Sequence, residues 1–184
     1  MIRAVSFQPG ASARLQIADS LGPTTVRPDV TQRQIWPENI GRVMDNTTNV
    51  FFYGLFMDES LLASMGIRPR VSRLGYVAGF GLHIGERATL IPERDSRSYG
   101  VLMEIAADQA AALYSDESVC DYVAEPVVVH LPDGAQVAAV CYNLPATKLT
   151  GTNPEYAAAL LALATKLGMP DSYLARIRSA AELA

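Results

Sequence analysis

The stretch 49–62 contains residue types that can hold a negatively charged group. Val50 begins a β-branched and aromatic run that favours a buried strand, and Gly54 interrupts this run. Asp58 is a suitable N-cap for a short helix that begins at Glu59. A strand, a glycine turn and a helix start leave several backbone N–H groups pointing the same way, which suits an anion. The commoner interpretation of such residues is a core strand followed by an ordinary turn.

The cysteines and histidines of the chain do not form a recognisable reactive set. His83 and His130 both lie in strand-like segments, and neither has neighbours at metal-ligand or catalytic-triad spacing. Cys120 has no histidine nearby in sequence to activate it, and Cys141 lies in a strand-like run typical of a buried thiol. We therefore expect no metal, no cofactor and no cysteine nucleophile.

The composition is that of one soluble globular domain. The chain has 184 residues, of which 49% are hydrophobic and 18% charged, with a net charge of −4. The Lys and Arg residues are scattered, which argues against a nucleic-acid partner. No apolar run approaches the roughly 20 residues that span a membrane, and the N-terminus does not resemble a signal peptide. We expect a cytoplasmic protein, either a monomer or a weak homodimer.

The first 45 residues differ from the rest of the chain. Proline and glycine interrupt them, and no helical or alternating pattern persists for ten residues. We predict that residues 1–45 are a poorly ordered or loosely docked extension, and that residues 46–184 form the domain. Trp36 is an argument for docking, because a large aromatic side chain usually packs against something.

The hydrophobic patterns within residues 46–184 predict many short strands and few helices. The helix predictions depend on caps, such as Asn153 followed by Pro154, and on terminal glycines such as Gly168. The predicted strands are 50–53, 71–77, 79–84, 88–91, 99–105, 122–131 and 135–144; the predicted helices are 59–65, 108–114, 154–167 and 171–177. Residues 92–96 are predicted to be a charged loop. Without a β-α-β rhythm, this order indicates an α+β fold with a small mixed or antiparallel β-barrel.

Four motifs in order resemble those of the γ-glutamyl cyclotransferase-like (AIG2-like) family. A strand leads into a Tyr-Gly-Ser-Leu or Tyr-Gly-Ser-Asn loop, which here reads Tyr-Gly-Leu-Phe at residues 53–56. A Gly-Val strand follows at residues 99–105, and a Leu-Asp-x-x-Glu-Gly segment corresponds to residues 113–118. Tyr122 and a valine-rich strand complete the series. The resemblance runs from about Val50 to the last helix and implies the same barrel architecture.

The resemblance implies an enzyme that converts a γ-glutamyl amide into 5-oxoproline and a free amine, without a metal or cofactor. The family's catalytic carboxylate corresponds to Glu117, which would move a proton from the substrate's α-ammonium group to the leaving amine. We favour Glu117 over its neighbour Asp116, because its spacing from Leu113 matches the motif and its side chain is longer. The backbone amides of residues 54–56 would bind the substrate carboxylate or the oxyanion.

The resemblance also implies substrate-binding roles for residues outside the turn. Tyr53 belongs to the loop motif, and Tyr122 would orient the base or the substrate. Arg87 is predicted to pair with the substrate carboxylate in preference to Arg94 or Arg97, because it immediately precedes a strand that lines the pocket. These assignments make the pocket a site for a small γ-glutamyl compound.

Two departures from the motifs support an alternative function. Leu55 stands where the family has Ser, and Ser118 stands where it has Gly. The alternative is a barrel that has kept the pocket, has lost the chemistry and acts as a small-molecule-binding or interaction module. The position of Glu117 distinguishes the two, because an active enzyme needs this carboxylate to face the pocket beside the amides of residues 54–56.

Overall fold

The computed structural model describes residues 46–182, and the predictions for residues 1–45 lie outside this range. Its five strands are β1 (Thr47–Phe52), β2 (Val71–Ile84), β3 (Ala88–Ala106), β4 (Val123–His130) and β5 (Gln136–Asn143). They close into a barrel in the order β1-β3-β2-β4-β5. All neighbours are antiparallel except β1 and β5, which meet in parallel at Val50 and Val140. The predicted α+β barrel fold is confirmed.

Four α-helices flank the barrel, and the predicted caps position two of them. These helices are α1 (Glu59–Ser64), α2 (Ala107–Leu113), α3 (Pro154–Lys166) and α4 (Asp171–Glu182). The Asp58 side chain accepts a hydrogen bond from the Ser60 N–H at the start of α1. The Asn153 side chain accepts one from the Tyr156 N–H at the start of α3. None of the helices within residues 46–182 is long and apolar enough to cross a membrane.

The hairpin of β2 and β3 is longer than the sequence predicted. Gly79, with φ of +80°, does not end the strand, and the predicted loop 92–96 lies within β3. The pairing instead shifts between Ala78↔Arg97 and Phe80↔Pro92, so the predicted turn and loop form an irregularity inside one long hairpin. The predictions of separate strands in these two places were therefore wrong, because local breaker residues in one strand can be accommodated as a bulge.

The core positions the end of β1 at which the site lies. Val50, Phe51 and Phe52 are almost fully buried, and they pack with inward residues of β3 and β5. The backbone of β1 pairs with β3 from Thr47 to Phe52, which fixes where the strand ends. The chain therefore leaves the barrel at Tyr53.

Candidate active site

A pocket with a volume of about 190 Å³ lies at the end of β1. Most of its lining is aromatic or aliphatic, and Arg87 is the one charged side chain among the described residues that line it. The lining consists of Phe52, Tyr53, Gly54, Leu55, Phe56, Leu61, Arg87, Ala88, Tyr114, Val119, Tyr122, Tyr142 and Tyr156. A mostly apolar pocket with a few polar groups is the usual form of a small-molecule site.

The turn after β1 forms one wall of the pocket. The Tyr53 hydroxyl donates a hydrogen bond of 2.6 Å to the Tyr142 carbonyl, which ties the turn to β5. Leu55–Met57 form a single 3₁₀ turn, in which the Met57 N–H donates to the Gly54 carbonyl at 3.1 Å. Residues 54–56, whose amides are predicted to bind an anion, line the pocket, and the backbone of Leu55 hydrogen-bonds with Tyr156.

Tyr156 is a pocket residue that the sequence analysis did not identify. It lies in the first turn of α3, and a Cβ built on Gly54 would come within 2.7 Å of its hydroxyl oxygen. Burial raises the pKa of Tyr156 to about 12, whereas hydrogen bonding with the backbone of Leu55 and Ala88 acts to lower it. Gly54 is therefore needed to make room for this hydroxyl. The Asn153 cap was the sequence signal that could have placed Tyr156 in the first turn of α3, since it fixes where this helix begins.

Arg87 and Tyr122 close the pocket from another side. The Arg87 guanidinium donates a hydrogen bond to the Ser118 carbonyl, and the Tyr122 hydroxyl donates one of 2.7 Å to the Ala88 carbonyl. Burial is the main reason that the pKa of Tyr122 lies above its ordinary value. Arg94 is exposed and the Arg97 guanidinium lies over the Tyr76 ring, so neither lines this pocket. Of the three arginines considered, Arg87 is in the predicted place.

Glu117 does not line the pocket. It is exposed on the segment 115–121, between α2 and β4, whereas the nearby Val119 does line the pocket. Asp116 is exposed too, and its carboxylate accepts hydrogen bonds from the Ser118 N–H and hydroxyl at 2.9 and 2.6 Å. These bonds hold the pKa of Asp116 below its usual range. Asp116 thus stabilises the turn of this segment, and Glu117 is left on its outer side.

The structure brings together every predicted binding residue but not the predicted catalytic one. Tyr53, Gly54, Leu55 and Phe56 meet Arg87 and Tyr122 around one pocket, and Glu117 stays outside. No carboxylate or histidine among the described residues lines this pocket. Within residues 46–182 there is also no cluster of three or more His, Cys, Asp or Glu residues that could hold a metal ion.

An aromatic wall inside the pocket is a second feature that the sequence analysis missed. The rings of Tyr114 and Tyr142 stack with centroids 3.6 Å apart and an interplanar angle of 8°. Phe56 meets Tyr114 edge-on at 6.2 Å, and Tyr122 lies 6.2 Å from the same ring. Tyr114 therefore stands at the centre of this wall. No short sequence pattern joins these residues, because they come from four separate segments.

Residues 97–177 match the model of the AIG2-like family. The matched part includes Glu117, Tyr122 and Tyr156, but it does not reach the turn after β1 or Arg87. The predicted resemblance to the AIG2-like family is confirmed. No curated protein matches the chain in sequence.

Solved structures of this AIG2-like fold resemble the chain over most of its length. A structure named γ-glutamyl cyclotransferase is 16% identical, with a TM-score of 0.56 over 72% of this chain and 86% of that one. An uncharacterized protein from Homo sapiens is 18% identical, with a TM-score of 0.56 over 72% and 87% of the two chains. YkqA from Bacillus subtilis is 16% identical, with a TM-score of 0.59 over 76% and 55%. At these identities the likeness establishes the shared fold.

Proposed function

We propose that the pocket binds a small γ-glutamyl amide and that the chain cyclises it to 5-oxoproline with release of the amine. The observation that carries this proposal is the convergence of six predicted binding residues, from three separate segments, on one pocket. The AIG2-like match and the fold shared with a γ-glutamyl cyclotransferase support the same substrate class.

The binding step uses groups that are already in position. The substrate carboxylate pairs with the Arg87 guanidinium, which donates to the Ser118 carbonyl and has further N–H groups available. The Tyr156 hydroxyl, beside Gly54, donates to the γ-carbonyl oxygen as negative charge develops on it. The substrate thereby folds with its α-amino group near its own γ-carbonyl carbon, which favours ring closure.

The chemical step moves two protons from the attacking nitrogen to the leaving one. The α-ammonium group loses one proton before its nitrogen attacks the γ-carbonyl carbon and a second as the ring amide forms; the carbon–nitrogen bond to the leaving amine breaks, and that amine takes up both protons and leaves as an ammonium ion. Glu117 is the proposed carrier of the proton that the leaving nitrogen needs as this bond breaks. Because Glu117 is exposed, the segment 115–121 has to rotate toward the pocket before Glu117 can act.

A second candidate function is binding without turnover. The exposed position of Glu117 and the absence of any described carboxylate from the pocket lining favour it. In this case the barrel recognises the same class of ligand and releases it unchanged.

Two measurements on the intact chain test the proposal and separate the two candidates. Isothermal titration calorimetry with a panel of γ-glutamyl amides measures binding, and detection of 5-oxoproline measures turnover. We expect both binding and 5-oxoproline. Binding without 5-oxoproline supports the second candidate, and an absence of binding across the panel overturns both.

A further inference from the structure

The lining of the pocket restricts the amine part of the ligand, and this inference rests on the proposed function. We propose that the pocket selects γ-glutamyl amides whose amine part is uncharged and carries an aromatic ring. The wall formed by Phe56, Tyr114, Tyr122 and Tyr142 is the part of the site that makes this selection.

The charge of the pocket excludes a second ionised group on the ligand. Arg87 is the single charged side chain among the described lining residues, so it neutralises one carboxylate, that of the glutamyl group. Lys148, which lines another pocket together with Arg87, already pairs with Asp121 and does not line this one. A second carboxylate, as in a γ-glutamyl amino acid, would therefore be removed from water without a partner, which is unfavourable.

Two of the tyrosine hydroxyls of the pocket are already used within the protein. Tyr53 donates its proton to the Tyr142 carbonyl, and Tyr122 donates its proton to the Ala88 carbonyl. Since these protons are used within the protein, what the two residues present to a ligand is largely ring surface. A polar amine part beside them would lose its water and gain no donor from these two hydroxyls.

The arrangement of the rings favours an aromatic partner over an aliphatic one of the same size. Tyr114 and Tyr142 are already stacked, and Phe56 meets Tyr114 edge-on with an interplanar angle of 88°. A further ring extends this cluster through the stacked and edge-to-face contacts that aromatic pairs prefer. The volume of about 190 Å³ is larger than the ~150 Å³ of a cavity known to hold benzene.

A series of ligands that differ only in the amine part tests the inference by calorimetry and 5-oxoproline detection. The series is γ-glutamyl benzylamide, γ-glutamyl cyclohexylmethylamide, γ-glutamyl methylamide and γ-glutamyl alanine. We expect the benzylamide to bind about tenfold or more tightly than the methylamide or the alanine compound, with the cyclohexyl compound between them. Equal affinities across the series overturn the inference and leave the proposed function standing.

Variants of the wall identify where the selectivity arises. Tyr114→Leu and Tyr142→Leu should each reduce the preference for the benzylamide to about threefold or less. Tyr76→Leu is the matched control, because Tyr76 is also stacked, on His130 at 4.9 Å, and lies outside the pocket. An unchanged preference in both wall variants, with thermal unfolding like that of the control, overturns the inference.

A ligand without a glutamyl group separates this inference from the proposed function. N-benzylacetamide keeps the ring and the amide but has neither the carboxylate nor the α-amino group. If it binds as tightly as γ-glutamyl benzylamide and needs Tyr114, the aromatic site stands and the proposed function fails. If neither aromatic compound binds, the inference fails.

Discussion

The two sides of the candidate site differ in how firmly the chain holds them. The turn 53–56 follows a fully paired strand, and hydrogen bonds from Tyr53 to β5 and from Met57 to Gly54 fix its shape. The segment 115–121 is largely exposed; Glu117 is exposed, and the Asp116 carboxylate bonds to Ser118 in its own turn. A hydrogen bond from Arg87 to the Ser118 carbonyl and the Lys148–Asp121 ion pair connect the segment to other parts of the domain, and Tyr122, the residue after it, donates to the Ala88 carbonyl.

Under the proposed function, binding and chemistry therefore depend on separate parts of the molecule. The turn 53–56 is built from buried and half-buried residues whose positions follow from the end of β1, so this side of the site is already formed. The proposed catalytic carboxylate, Glu117, is on a segment held by a few exposed polar contacts, which contribute little energy each. A rearrangement of that segment therefore requires less free energy than a rearrangement of the turn after β1.

The largest expected effect is on turnover, from a change in the exposed segment. Glu117→Gln should reduce 5-oxoproline formation by at least about 100-fold and leave ligand affinity nearly unchanged, because Gln cannot carry the proton. Asp116→Asn is the matched control and should retain most of the activity, since Asp116 serves the turn. If Asp116→Asn abolishes turnover and Glu117→Gln does not, the assignment passes to Asp116.

A change in the turn should instead affect stability and binding together. Gly54→Ala places a Cβ against the Tyr156 hydroxyl, so we expect it to lower the free energy of unfolding by about 2 kcal/mol and to weaken ligand binding. Tyr156→Phe removes the hydroxyl, and in that background the loss of stability caused by Gly54→Ala should become smaller. Additive losses in the double variant, measured by urea unfolding, would show that the two residues do not contact each other.

Removal of the pocket cation should have a moderate effect on binding. Arg87→Ala should weaken the binding of a γ-glutamyl amide about fivefold, because the ligand carboxylate then has no cationic partner. Arg94→Ala and Arg97→Ala are the controls, since both arginines lie outside the pocket. Equal and negligible effects in all three variants, measured by calorimetry, would assign the anion to the backbone amides alone.

The smallest expected effect is a difference in local opening at acidic pH between the segment 115–121 and β1. Hydrogen bonds from Ser118 hold the pKa of Asp116 below its usual range, and a hydrogen bond from Lys148 does the same for Asp121. The stabilisation from such a carboxylate is present above the ordinary pKa and is lost as the pH falls through the lowered one. Amide exchange, corrected for its intrinsic pH dependence, should therefore increase below about pH 4 in residues 115–121 and not in β1. Equal increases in both would contradict this difference.

The sequence predicted the parts of the molecule that depend on local patterns. The strand before Gly54, the caps at Asp58 and Asn153, and the α+β barrel follow from hydrophobic spacing and capping residues, and the structure confirms them. The long β2–β3 hairpin was missed, because Gly79 was interpreted as the end of a strand whereas tertiary pairing carries the strand past it.

The sequence predicted the pocket residues that lie in a family motif or directly before a predicted strand, and it did not predict the others. Residues of the loop motif and Tyr122 reach the pocket, as does Arg87, which was chosen for its place before a strand. Tyr114, Tyr142 and Tyr156 were missed, since they meet only through the closure of the barrel and the packing of α3. The direction in which Glu117 points is set by an irregular segment, and irregular segments have no periodic pattern from which a side-chain direction can be predicted.

The central claim is that a γ-glutamyl ligand occupies this pocket and brings Glu117 to it. A crystal structure with N-benzylglutaramic acid, which keeps the carboxylate and the benzylamide but lacks the α-amino group and therefore cannot cyclise to 5-oxoproline, tests this most directly. We expect the ligand between Arg87 and the Tyr114 wall, with the Glu117 carboxylate about 3 Å from the amide nitrogen. A ligand bound elsewhere, or a Glu117 that stays exposed beside a correctly bound ligand in a protein that forms 5-oxoproline, would contradict the account.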